Sequence, residues 1–380
     1  MAARYRAEQV GSLLRPPEVL EAHAAHAQGR IPLEELRRIE DAAILKALDL
    51  QRQAGIEIFT DGEYRRSSWA GDFSDAVDGY VEGEPPIPFE WRMPDGAERA
   101  PAETLRDIRA LPGQGARVIG ERLRQRQRLT AHESAFLKQH APGPYKVTMP
   151  AASYVVARGY KPSISDQAYG SRSDLLQDVV KIVQAEIKAL IDEGVTYIQL
   201  DNPHYPDYIP EFRRDQWRAI GIDPARAIEE DVAADSACFE GVDPQRIVRA
   251  THICRGNGRS AWHTEGGYEA IAEKVFSIPN VDAFLLEYDT DRAGGFEPLR
   301  FVPKGKTVVL GLVTTKVGAL ETKDDLLRRI EEASSYVPIE NLAVSPQCGF
   351  ASMAQGNLLS WDDQRRKLEL VADTARTVWG

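Results

Sequence analysis

The residues best suited to chemistry in this 380-residue sequence are His252 and Cys254, in His252-Ile253-Cys254, together with Cys348 and Glu287 further along. Alternate side chains of a strand leave on one face, so His252 and Cys254 would point the same way and could hold one ion. One imidazole and two thiolates suit Zn²⁺, and a carboxylate could complete the set and give way to a substrate. Thiolate ligation keeps electron density on the metal, so a bound substrate thiol would lose its proton yet stay nucleophilic. Asp289 and Asp291 stand close enough to serve in place of Glu287. The plainer alternative is a buried cysteine beside a hydrogen-bonded histidine, and spacing alone leaves both open. The third cysteine, Cys238, lies in a helical stretch without such company and reads as packing.

These residues gain force from the elements that must position them. Eight short runs read as strands: 9–12, 56–60, 145–149, 197–201, 246–254, 283–287, 307–313 and 342–345. Between most of them lie helical patterns, at 33–54, 173–193, 224–240, 267–276, 323–336 and 361–379. In the second of these, Leu175, Leu176, Val179, Val180, Val183, Ile187, Leu190 and Ile191 recur at three- and four-residue steps, the mark of one buried helix face. Strand and helix in alternation predict an α/β protein, a (β/α)8 TIM barrel. A doubly wound sheet would carry a G-x-G-x-x-G turn after an early strand, and Gly11-Ser12 is not part of one. Glu63 follows the second run, Asp201 ends the fourth, His252 and Cys254 end the fifth, Glu287 ends the sixth, and Cys348 lies past the eighth. All are C-terminal ends, where a barrel gathers its catalytic groups.

Residues 82–144 break the rhythm, with eight prolines and an arginine-rich stretch at 117–128. They read as an insertion after the second strand, within a single catalytic domain spanning 1–380. A loop comes first, then one or two helices. The arginines are expected on a solvated helix face balanced by Glu121 and Glu133, with an anion or a partner subunit as the alternative. His204 either orients a substrate or caps a turn, and His263 follows the metal-candidate strand without a firmer assignment.

Composition excludes several classes. The 47 Lys plus Arg against 58 Asp plus Glu leave a formal charge of −11, which argues against nucleic-acid binding. No apolar stretch approaches the roughly 18–20 residues that span a bilayer, and the start carries no signal-peptide core. Three cysteines cannot form a disulfide framework. The expectation is a soluble, cytoplasmic protein, with homo-oligomerisation left open. Neither a G-x-S-x-G elbow nor a P-loop lysine motif is present.

Val10-Gly11-Ser12-Leu13-Leu14-Arg15-Pro16, Asp61-Gly62-Glu63, Ile198-Gln199-Leu200-Asp201, Thr251-His252-Ile253-Cys254 and Ser345-Pro346-Gln347-Cys348-Gly349-Phe350 together resemble the cobalamin-independent methionine synthase family, in its catalytic C-terminal barrel. The resemblance implies a (β/α)8 barrel that binds Zn²⁺ and alkylates a small-molecule thiol. It makes His252, Cys254, Glu287 and Cys348 the metal ligands. Glu63 and Asp201 become the acidic residues that hold the amino group of homocysteine, and Gly11-Ser12 the loop that receives its carboxylate. The function implied is zinc-dependent methyl transfer to homocysteine, giving methionine.

Departures from the family pattern shape the alternatives. Full-length members carry two barrels, and only one fits here. The family's Asp-Glu-Pro reads Asp201-Asn202-Pro203, and the histidine that protonates folate is replaced within Val313-Thr314-Thr315-Lys316. Methyltetrahydrofolate transfers its methyl group poorly unless its leaving nitrogen is protonated, which turns attention to a corrinoid or another alkyl donor. A related single-barrel branch opens epoxides with coenzyme M, and Arg15, Arg65, Arg66 and Arg255 could serve its sulfonate. A non-catalytic zinc- or thiol-binding protein is the third reading.

Overall fold

The computed structural model describes residues 5–93 and 117–380. Residues 94–116, part of the expected 82–144 insertion, lie outside the described residues. Two strands, β1 (Val77–Glu82) and β2 (Arg117–Gln125), pair as an antiparallel ribbon. Six more form one parallel sheet in sequence order: β3 (Val147–Pro150), β4 (Tyr197–Asp201), β5 (Val248–Ile253), β6 (Ala283–Glu287), β7 (Thr307–Val313) and β8 (Leu342–Pro346). Apart from the first residue of β5 and of β7, every residue in these six is buried. Strands covered on both faces tend to be apolar on both, which is why β6 and β7 read as near-continuous apolar runs rather than alternating ones. Their inward residues Tyr197, Ala250, Leu285, Val309 and Ala343 pack with Val10 and Ile58 into one cluster.

Val10 and Ile58 belong to the first two expected strands, which occupy the two remaining positions of the TIM barrel without forming regular ladders. Glu8 N–H donates to Val344 O at 3.0 Å and Val344 N–H to Arg6 O at 2.9 Å, so the first segment lies along β8. Glu57 N–H then donates to Ala7 O at 3.0 Å. Phe59 N–H donates to Pro144 O, and Lys146 N–H to Phe59 O, both at 2.9 Å, joining the second segment to β3. Beyond these bridges, side chains take over the work of a ladder. Gln51 Oε1 accepts from Thr60 N–H at 3.0 Å and from Gln9 Nε2 at 3.1 Å, while Gln51 Nε2 donates to Thr60 O at 2.9 Å. Thr60 Oγ1 donates to Gly11 O at 2.7 Å, and Gln199 Nε2 to Val10 O at 2.9 Å.

The helices follow their sequence signals. Leu33–Ala54 buries Leu36, Ala43, Ile44, Ala47 and Leu48 and stops at Gly55 in the left-handed conformation. Arg172–Glu193 starts where Ser171 accepts from Asp174 N–H and stops at Gly194. Trp361–Trp379 opens with a reciprocal capping box between Ser360 and Asp363. Among the described residues no helix is long and apolar enough to cross a membrane.

The arginine-rich stretch differs from expectation. Arg117–Gln125 is strand β2, not a helix, because Val118 and Ile119 turn into the protein and pair with Val81 and Tyr80. Its charges are met by residues other than those expected. Arg124 and Arg126 pair with Asp78 at 2.9 and 2.8 Å, Arg122 with Asp178 at 3.2 Å, and Arg128 with Glu186 and Glu193 at 2.7 Å each. A helix does follow, Ala131–His140, and its buried Glu133 accepts from Arg66 Nε at 2.6 Å. Cys238 ends the helix Pro224–Cys238, packed in a buried apolar cluster with Phe239 and Ile247.

Gln51→Leu tests whether this side chain holds the two irregular ring positions. It leaves the Thr60 N–H and C=O without their Gln51 partners, so stability falls by about 2–4 kcal/mol. The shift in urea midpoint measures this. A loss under about 0.5 kcal/mol, the range of an ordinary surface change, would show that the segments stand without it.

Candidate active site

The register of the parallel sheet sets the site. Asp201 is the partner of His252 across β4 and β5, and Glu287 that of Gly311 across β6 and β7. The strand ends therefore open on one rim, and the loops beyond them carry Cys254 and Cys348. His252, Cys254 and Cys348 are buried, with their ligand atoms all within 4.8 Å of one another. The two sulfurs are 3.6 Å apart. His252 Nδ1 lies 3.1 Å from Leu285 O, which places the ring hydrogen on Nδ1 and leaves Nε2 with a lone pair. That Nε2 is buried without a hydrogen-bond partner in the protein. An orphaned lone pair beside two sulfurs is the donor set of a soft cation site, and these residues fit a zinc ion. Facing Cys254 and His252, the Cys348 thiol is held well below its usual range against burial.

Glu287 reaches the same rim but stands outside that group. Its Oε2 accepts from Arg255 N–H at 2.8 Å, and its Oε1 from Arg292 Nη2 at 2.8 Å and Nε at 3.1 Å. Burial alone would raise this carboxyl, yet Arg292 and Arg255 pull it down to about 2.

Glu63 and Asp201 open into the same cavity. Glu63 sits in the left-handed region at φ 59°, on a turn where its N–H donates to Asp61 Oδ1 at 2.9 Å. Thr148 Oγ1 donates to Glu63 Oε1 at 2.9 Å, and Oε2 is buried without a partner. Gly11 lies directly behind: a Cβ there would be 2.6 Å from Glu63 Oε1, so any side chain would displace the carboxylate. Burial pushes the Asp201 carboxyl up to about 7, with Glu63 adding to this against the pull of His252. Gln199 Nε2 donates to Asp201 Oδ1 at 2.7 Å. Ser12 completes the set from the first segment. Its carbonyl accepts from Phe350 N–H at 2.8 Å, and its Oγ from Ala351 N–H at 3.3 Å, which locks it to the loop carrying Cys348.

The arginines considered for a sulfonate are engaged elsewhere. Arg15 donates to Glu63 O at 2.6 Å, Arg66 O at 3.0 Å and Ala351 O at 3.1 Å. Arg65 pairs with Glu40 and Asp41 at 3.2 and 2.5 Å, Arg66 with Glu133, and Arg255 donates to Gly266 O at 2.6 Å. Asn202 is structural: Nδ2 donates to Ser153 Oγ at 2.6 Å and Asp235 Oδ2 at 2.8 Å. Lys316, in the segment after β7, donates to Gly256 O and Asn257 Oδ1 at 3.0 Å each and props the loop beyond Cys254.

Sequence reasoning missed Thr148 and the aromatic walls Trp69, Phe89, Trp91 and Tyr154. Phe89 and Trp91 stand at alternate positions, the one available signal, but they fall in a proline-rich stretch that gives no strand pattern to support it. His263, expected without a firm role, also lines the cavity. His204 lies behind it, facing Asp207.

Residues 126–376 match the family described as cobalamin-independent synthase, catalytic domain. The chain is 36% identical over 394 residues to the uncharacterized protein YxjH of Bacillus subtilis (strain 168), covering 99% of this chain and 95% of that one. It is 26% identical over 345 residues to a methionine synthase of Pyrococcus abyssi, covering 90% of this chain and 84% of that one. A solved Listeria monocytogenes structure, a candidate vitamin-B12 independent methionine synthase, superimposes with TM-score 0.70 and 29% identity over 100% of this chain and 99% of that one. With that match spanning most of its length, the chain belongs to the cobalamin-independent synthase family, through its catalytic domain.

Proposed function

We propose that this protein is a zinc-dependent S-methyltransferase acting on homocysteine to give methionine, a single barrel over residues 1–380 with 82–144 inserted in it. The observation that carries this reading is the charge of the cavity. Glu63 and Asp201 share it with the two cysteines, and among the described residues no arginine or lysine lines it. A thiol whose other end is an ammonium fits such a cavity, because charge-assisted hydrogen bonds to the two carboxylates offset their burial. A sulfonate would find no cationic partner there. The methionine synthase activity named for the Pyrococcus abyssi relative agrees with this choice.

His252, Cys254 and Cys348 would hold the ion. Glu287 would join them by exchanging the Arg255 N–H or Arg292 for it. Zn²⁺ bound there lowers the pKa of an incoming thiol, so that a nucleophile exists at neutral pH. The remaining work belongs to the protein. Thr148 and Gly11 fix the Glu63 carboxylate, Glu63 and Asp201 orient the ammonium, and Gly11-Ser12 receives the carboxylate. The aromatic walls exclude water, and the thiol is aimed for in-line attack on the donor's carbon. The donor is a small alkyl-carrying molecule.

Three measurements check this reading. In the Co²⁺-substituted protein, homocysteine should induce a thiolate-to-metal absorption band that coenzyme M does not. Absence of that band with homocysteine would sink the proposal, and a band with coenzyme M alone would favour the epoxide-opening branch. Cys348→Ser should lose stoichiometric zinc by elemental analysis while keeping the melting temperature of the zinc-free wild type, because the ligand lies on a rim loop apart from the packed barrel layers. Full zinc retention would remove Cys348 from the ligand set. Glu63→Gln should raise the KM for homocysteine about 10- to 100-fold, the worth of a hydrogen bond to a charged group at about 1.5–3 kcal/mol, with kcat changed far less. An unchanged KM would free Glu63 from that role.

A further inference from the structure

A second group of buried titratable side chains adjoins the cavity and takes no part in holding an ion or an amino acid. His263 lines the cavity alongside Cys254 and Cys348. Its ring packs on Gly256, where a Cβ would lie 2.1 Å from His263 Cδ2 and 2.7 Å from Nε2. Only glycine, two residues past Cys254, lets the imidazole come so near. Phe89 stacks on the ring at 4.0 Å between centroids and 17°, and Trp91 meets it edge-on at 5.5 Å.

On the other side, His263 Nδ1 faces Asp207 Oδ1 at 3.3 Å. Asp207 Oδ2 faces His204 Nδ1 at 3.3 Å, and His204 Nε2 faces Asp231 Oδ2 at 3.4 Å. Asp231 in turn pairs with Arg172 and accepts from Tyr208 OH at 2.6 Å. Burial would raise the Asp207 carboxyl, but His263 and His204 hold it below the usual carboxylate range. The 3.3 Å contact between His263 and Asp207 is an ion-pair approach in which Nδ1 and Oδ1 are both buried without a hydrogen-bond partner, and an ionised Asp207 there favours the hydrogen of His263 on Nδ1 and the lone pair on Nε2. The charged groups facing His263 are Asp207, Arg213 and Arg158. Burial lowers its pKa, Asp207 opposes this, and the two arginines add to the lowering, so the ring is neutral at neutral pH.

We propose that His263 is a further catalytic residue, which takes the proton of the substrate thiol on Nε2 and delivers it to the leaving atom of the alkyl donor. The proposal rests on the alkyl-transfer reading above. In the first step the S–H bond breaks and an N–H bond forms, with the electron pair left on sulfur. In the second, sulfur bonds to the donor's carbon, and the carbon–X bond breaks with its pair going to X. The imidazolium proton then passes to X, so thiol and alkyl–X become thioether and H–X. The assignment supplies the proton that Val313-Thr314-Thr315-Lys316, with no imidazole, does not. It also commits the donor to a class whose leaving atom departs as a base, such as an N-methyl amine. Sulfonium and methyl-corrinoid donors leave without taking up a proton.

The test has a spectroscopic arm and a kinetic arm. In ¹⁵N-imidazole spectra of the full chain, the signals lost in His263→Gln identify the residue. They should report an Nδ1–H tautomer, neutral at pH 7, with a midpoint below the ordinary histidine value of about 6.5. An Nε2–H tautomer, or a charged ring at pH 7, overturns the proposal. In the zinc-loaded enzyme, His263→Gln should lower kcat by ~10²–10⁴-fold while keeping the homocysteine-induced band of the Co²⁺ form. Wild-type kcat/KM should fall as pH drops through the His263 midpoint, because only the neutral ring accepts a proton, and the variant should lack that limb. Imidazole added to His263→Ala should restore turnover at least tenfold, a rescue that a packing role would not give. Thiol alkylation that survives His263→Gln at the wild-type rate overturns this assignment alone. A wild-type protein that binds no thiol overturns the alkyl-transfer reading and this assignment with it.

Discussion

The buried lone pair of His252 is the constraint on which the rest of the site depends. Burying an unpaired imidazole nitrogen against two sulfurs 3.6 Å apart is unfavourable unless something accepts electron density from all three. The protein spends considerable structure on keeping that geometry. Leu285 O fixes the tautomer from the neighbouring strand, and Lys316 ties the segment after β7 to Asn257 in the loop after Cys254. Asn257 Nδ2 closes that tie by donating to Gly349 O at 2.6 Å. Each of these bonds crosses between strands or loops far apart in sequence, so the triangle is a product of the barrel and not of any local motif.

The acidic half of the cavity follows the same logic with opposite charge. Glu63 occupies a left-handed backbone conformation, which costs a residue other than glycine of order 1–3 kcal/mol and persists only where the surroundings over-determine it. Those surroundings are Arg15 on the Glu63 carbonyl, Thr148 on its carboxylate, and Gly11 in close approach behind it. Strain, burial and an unpartnered oxygen at one carboxylate favour a ligand that brings a positive charge and hydrogen-bond donors. The sulfur-and-imidazole cluster and the acidic pair are thus complementary, and under the proposed function the first would take the sulfur end of a small amino thiol and the second its amino end.

Much of this was legible in the sequence, for physical reasons that can be named. Strands β6 and β7 announce themselves as near-continuous apolar runs because both faces are covered, and the capped helices Arg172–Glu193 and Trp361–Trp379 carry their own stop or start signals. The first two ring positions were expected as ordinary strands. They are not, because Gln51, Gln9 and Thr60 replace backbone partners with side chains, and no local pattern encodes such an exchange. β2 read as a helix because its arginines hide the inward pair Val118 and Ile119. Glu287 was located correctly at a strand end, but Arg292 and the Arg255 N–H, which occupy its oxygens, come from loops whose path the sequence does not specify.

The segment before the undescribed residues shows why the cavity is more than the rim of a barrel. Arg92 N–H donates to Trp262 O at 2.8 Å and Trp262 N–H to Arg92 O at 3.0 Å, so residues 91–93 run antiparallel to the loop beyond β5. Arg92 also pairs with Glu265. This docking carries Phe89 and Trp91 onto His263 and sets two aromatic walls opposite the cysteines. Arg158, from the helix Ala152–Gly159, holds the segment from beneath: it donates to Ile87 O at 2.8 Å and lies 3.8 Å from the Phe89 ring centroid. A barrel rim alone would leave His252, Cys254 and Cys348 open to water, where thiolates are strongly solvated. Aromatic walls at Phe89 and Trp91 lower the local dielectric, and every charge-assisted contact in the cavity strengthens as a result.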